Sequence, residues 1–116
     1  MAPTKLPDPL KRRHLLEEDL APARCLALAE AYLEENRLHE ALDFLLKAGE
    51  TERLRALAGD AVAAGDVFLL REIAARTGEE PDADTWQRLA EAAAAGGRER
   101  DAHEAQRLAA ARAALA

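Results

Sequence analysis

The chain has 116 residues, 49% of them hydrophobic with alanine dominant, and a net charge of -6. That length supports one compact domain with a modest core. The charge disfavours nonspecific attraction to nucleic acid or an anionic membrane surface, and no apolar run approaches the roughly 20 residues of a membrane span. β-Branched residues are few (Thr4, Thr51, Val62, Val67, Ile73, Thr77, Thr85) and the aromatics are Tyr32, Phe44, Phe68 and Trp86. Alanine favours helix but buries little area, so the expected fold is all-α and thinly packed.

Residues 1–8, MAPTKLPD, read as a flexible arm without a signal-peptide pattern. Asp8-Pro9 is a helix start, with aspartate as cap and proline in the first turn. A short helix over about 9–18 follows, carrying a basic patch at Lys11, Arg12, Arg13 and His14. Its leucines (Leu10, Leu15, Leu16, with Leu6 and Leu20 outside) form no clean stripe. Two readings are open: a lid over the following helices, or an arm that docks on a partner.

Pro22 opens the next helix, where Cys25, Leu28, Ala29 and Tyr32 fall at i, i+3, i+4, i+7 on one face. Asn36 suits the left-handed conformation that ends it. A second pattern, Leu38, Ala41, Leu42, Leu45 and Leu46, runs to about Ala48, with Gly49 as its stop. Thr51 is the expected cap of a helix to Ala64, closed by Gly65; Asp66 caps another over 67–77, closed by Gly78. Residues 79–85, EEPDADT, are a loop with Pro81 as breaker and Asp82 or Asp84 as the next cap. A helix then reaches Ala95, Gly96-Gly97 turns the chain, and a last helix runs from about Arg98, its terminal ARAALA expected to fray.

The first helices of these pairs repeat. Cys25-x2-Leu28-Ala29-x2-Tyr32 returns as Leu54-x2-Leu57-Ala58-x2-Ala61 and as Trp86-x2-Leu89-Ala90-x2-Ala93, offset by 29 and 32 residues. A bulky residue and a leucine one turn on wedge between two helices, and the small residue beside the leucine admits the partner backbone. This resembles the tetratricopeptide repeat, whose 34-residue unit has W-x2-L-G-x2-Y in its first helix and A-x3-F in its second. The resemblance covers about residues 22–112. It is best in the first hairpin, with Ala41-x3-Leu45 and Ala48. The third keeps Trp86, Leu89, Ala90, Gly97 and Ala102 but has Gln106 in the aromatic place; the second, with Leu70 and Ala74, is the weakest. The family's closing proline is missing. The resemblance implies one domain over residues 9–116: three antiparallel hairpins (about 22–48, 51–77 and 83–114) stacked as a short right-handed solenoid behind the N-terminal helix.

Chemistry-bearing patterns are sparse. His14, His39 and His103 stand at no metal-ligand spacing with one another or with Cys25. Cys25 lies on an interior face, where cysteine behaves as a small hydrophobe, and a single cysteine fits a reducing compartment. The adjacent acids Glu17-Glu18, Glu34-Glu35 and Glu79-Glu80 diverge on a helix. Phosphate-loop, dinucleotide and nucleophile-elbow signatures are absent. The expectation is a cytoplasmic protein that is not an enzyme and takes no metal or cofactor. One segment, LREIAARTG over 70–78, is similar to the first helix and turn of a bacterial helix-turn-helix. Residues 70–95 would then read DNA, but Glu79, Glu80, Asp82 and Asp84 would present the wrong sign to phosphates.

The resemblance places the first helices of the hairpins along a concave face. Carried over, that face is Leu26, Glu30, Leu33 and Glu34 in the first hairpin. It is Arg55, Gly59, Val62 and Ala63 in the second, and Gln87, Glu91, Ala94 and Ala95 in the third. Each set shares a stripe at i, i+4, i+7, i+8. The expected function is an adaptor or regulator that docks a basic or amphipathic partner segment in a mildly acidic groove. Three alternatives stay open: a structural subunit of a homo-oligomer or larger complex, the DNA reader, and an N-terminal helix that merely covers Leu26 and Leu33.

Overall fold

The computed structural model describes residues 6–115; most of the arm expected at residues 1–8 lies outside them. The described residues form seven α-helices and no strand. They are α1 (Pro9–Glu17), α2 (Pro22–Glu34), α3 (Leu38–Ala48), α4 (Thr51–Ala64), α5 (Val67–Thr77), α6 (Ala83–Ala95) and α7 (Glu99–Ala114). Two compact units make up the chain, one ending at Leu54 and the other beginning at Arg55, within α4. No described helix is long and apolar enough to cross a membrane.

Local signals set most of the helix ends. The carboxylates of Asp8, Asp66 and Asp82 accept hydrogen bonds from the backbone N–H groups of Lys11 (2.8 Å), Leu69 (3.0 Å) and Thr85 (2.8 Å). Each satisfies a donor that the first helical turn leaves orphaned. At Thr51 the expectation is corrected. Thr51 is the first helical residue rather than the cap, and the N–H of Leu54 donates to the Glu50 carbonyl (3.0 Å). The last helix holds its geometry as far as Ala114.

Four short turns share one closure. The N–H groups of Arg37, Glu50, Asp66 and Arg98 donate five residues back, to the carbonyls of Tyr32, Leu45, Ala61 and Ala93, at 2.8–3.2 Å. In each, the preceding residue (Asn36, Gly49, Gly65 or Gly97) has a φ between 56° and 76°. This is the Schellman arrangement, in which a left-handed residue reverses the chain and satisfies a terminal carbonyl. Asn36 tolerates that conformation with a Cβ, and its short polar side chain is the reason.

In the first unit α2 and α3 pack along their length. Cys25, Leu28, Ala29 and Tyr32 meet Ala41, Leu42, Phe44 and Leu45, all buried. The Tyr32 and Phe44 rings stack at 5.7 Å between centroids, and the Arg37 guanidinium lies 5.1 Å over the Tyr32 ring. Tyr32 has no exposed surface, and its hydroxyl has no hydrogen-bond partner among the described residues; burial pushes the phenol pKa above its ordinary value. An unpartnered buried hydroxyl costs about 1–3 kcal/mol. Tyr32→Phe is therefore expected to fold at least as stably as the parent, by about 0–1 kcal/mol in a urea melt. A clear loss of stability would show that the hydroxyl has a partner.

In the second unit α6 and α7 pack along their length. Trp86, Leu89, Ala90 and Ala93 pack on Ala102, Ala105 and Ala109. Gln106 points to solvent. Gly65, at the end of α4, is buried directly against the α6 backbone at Ala93.

Candidate partner-binding surface

On α2 the core occupies the face built by Cys25, Leu28, Ala29 and Tyr32. Leu26 and Leu33, seven residues apart, lie on the flank of that face and are each only part-buried. Glu30 stands between them in sequence, and Glu34 is exposed one turn further. The result on this helix is a narrow apolar strip edged by carboxylates.

The two acids are not equivalent. Both Glu30 oxygens take hydrogen bonds from Arg53, 2.7 Å from Nε and 3.0 Å from the second guanidinium nitrogen, a bidentate pair that ties the start of α4 to α2. Those bonds hold the Glu30 carboxyl below its ordinary pKa of 4.5. A depressed folded-state value stabilises the fold above the ordinary carboxylate range, and the benefit is lost as pH falls through that depressed value. Both side chains are more than a third exposed, so the effect is small. Glu34 makes no ion pair among the described residues, so its charge is the one a partner would meet. Sequence reasoning missed Arg53, because it lies 23 residues from its partner and carries no local signal.

The N-terminal helix belongs to the same unit. α1 rests on α3. The cleft at its start is lined by Leu6, Lys11 and Leu15 with Arg24, Ala27 and Leu28 of α2. Leu26 and Leu33 are not in that cleft.

In the second unit the expected residues fall on two helices. Arg55 is exposed on α4 and reaches Glu79 at 3.9 Å; Val62 is part-buried two turns later. Gln87 and Glu91 are exposed on α6, as are Ala94 and Ala95. Glu91 makes no ion pair among the described residues. The structure thus puts Leu26, Glu30, Leu33 and Glu34 on one helix of the first unit, and Arg55, Val62, Gln87 and Glu91 in the second.

Chemistry elsewhere is sparse. Cys25 has no exposed surface, and among the described residues no three His, Cys, Asp or Glu side chains cluster as metal ligands would. The segment similar to a DNA reader has α5 followed by α6, whose start carries Asp82 as cap and Asp84 in the first turn. Arg88, the nearest cation on that helix, is engaged by Asp84 at 3.2 Å. No protein family, curated protein or solved structure matches the chain.

Proposed function

We propose that this chain is a non-catalytic adaptor whose helices are tetratricopeptide-like hairpins stacked as a short right-handed solenoid, and that it docks a basic or amphipathic segment of another protein. The observation that carries the reading is the strip on α2. Leu26 and Leu33 are held at the edge of the core, still part-exposed, with the exposed carboxylate of Glu34 beside them. Leucine or methionine anchors on a partner would bury against the two leucines, and lysine or arginine would meet Glu34. The repeated Schellman closure and the seating of Gly65 on α6 support the hairpin array. Arg55, Val62, Gln87 and Glu91 are the residues through which the second unit would take part. An acidic first turn on α6 favours this reading over contact with DNA phosphates.

The test uses labelled 18-residue amphipathic helices in fluorescence anisotropy, one of leucine and lysine and one of leucine and glutamate. The basic helix is expected to bind at least tenfold more tightly. Leu33→Gln should weaken it about tenfold, because roughly half of a leucine's 1.5–3 kcal/mol of burial is removed. Glu34→Lys should slow association, more at low salt, with little change in the melting temperature. Equal binding of both helices, or unchanged binding in both variants, refutes the α2 strip as the site.

A further inference from the structure

The N-terminal helix shows how this protein holds a helix. α1 has nine residues and buries one side chain, Leu15, which is 3% exposed, whereas Leu10 is 65% exposed. A helix that short is marginal in water by itself. Its place is set by three contacts. Leu15 fills an apolar position. The Arg12 guanidinium pairs with the Asp43 carboxylate. The Lys47 ammonium donates to the Leu16 carbonyl at 3.0 Å, one of the last-turn carbonyls that α1 leaves without an internal partner.

These contacts are in register. Asp43 and Lys47 are four residues apart on α3, and Arg12 and Leu16 are four apart on α1, so two parallel stripes meet. Asp43 selects a cation. Lys47 selects the end of a helix through its backbone, whatever its sequence. Only Arg12-x2-Leu15, followed by a helix end, is demanded of the occupant. The fit also has slack: the Nε of Arg12 itself is buried without an acceptor among the described residues. An occupant whose own cation leaves no buried N–H unpaired would sit better than α1 does.

We infer that the α1 seat is a second docking site, for a helix of another protein that carries arginine or lysine three residues before a leucine and ends within a turn of it. α1 is its resident occupant, displaced when that helix binds. This is a different surface from the strip on α2, and its test shares no probe with that one. The short connection between α1 and α2 keeps the resident helix at high effective concentration. A free competitor is therefore expected to gain affinity when the resident helix is loosened.

The test is fluorescence anisotropy of a labelled peptide of residues 6–20 against the full chain. Two variants loosen α1: Arg12→Ala, which keeps Leu15 and leaves no charge at position 12, and Arg12→Ala with Leu15→Ala; the single variant carries the test if the double one does not fold. The peptide should bind a loosened chain at least tenfold more tightly than the parent chain, and a scrambled peptide should not. Adding Asp43→Arg to the loosened chain should abolish binding of the natural peptide and restore it for the peptide with Arg12→Glu. The proposal is overturned if the helical loosened chain gains no affinity. It is equally overturned if the scrambled peptide binds as well, or if the charge exchange restores nothing.

Discussion

Gly65→Ala is expected to destabilise the protein by about 2–5 kcal/mol, the largest effect of any glycine substitution in the chain. Two costs combine. Gly65 has φ +69°, a left-handed backbone that costs a residue with a Cβ about 1–2 kcal/mol. The added Cβ would also stand 2.6 Å from the Ala93 nitrogen and 2.7 Å from its Cα. Both atoms are backbone and cannot rotate aside, so α4 and α6 would have to separate locally, at the 1–3 kcal/mol typical of overpacking. Gly78 supplies the control. It has φ +77° but nothing within 4 Å of a new Cβ, so Gly78→Ala should lose only about 1 kcal/mol. Gly59 lies inside α4 with open space around it, and Gly59→Ala should gain about 0.4–1 kcal/mol. At roughly 4 °C per kcal/mol for a chain of this size, thermal melts separate the three. If Gly65→Ala melts with Gly78→Ala, the close approach of α4 to α6 does not exist in solution.

Trp86→Ala should cost about 3–5 kcal/mol, a large share of the stability of a small domain. The reason lies in its neighbours. The α6–α7 face is built from Ala90, Ala93, Ala102, Ala105 and Ala109, which let the helices approach but bury little area each. Trp86, 3% exposed, and Leu89 supply most of the apolar surface there. An alanine at 86 would leave a cavity that alanines cannot collapse to fill. Trp86→Phe, which keeps a ring in place, should recover more than half of the loss. The fluorescence maximum of the single tryptophan gives a second reading: it should be blue-shifted in the folded chain and move to the red on unfolding. A melting temperature within two degrees of the parent for Trp86→Ala would place the side chain outside the core.

The helices themselves were readable residue by residue. A helix end is a local event: an aspartate that caps its own first turn, as at Asp8, Asp66 and Asp82, or a glycine that alone enters the left-handed region cheaply, as at Gly49, Gly65 and Gly78. The buried faces were readable for a similar reason, since the spacing of Cys25, Leu28, Ala29 and Tyr32, and of Trp86, Leu89, Ala90 and Ala93, follows from 3.6 residues per turn. The α2 strip was legible as a stripe next to those faces. Its charge was not. Glu30 and Glu34 look alike in the chain, and only the lie of α4 against α2 brings Arg53 to one of them. The same holds for Arg12 with Asp43 and Lys47 with the Leu16 carbonyl, each spanning 31 residues, and for Gly65 against Ala93. Such contacts depend on the angle and offset at which two helices pack, which many different side-chain sets can produce, so no residue type or spacing announces them beforehand.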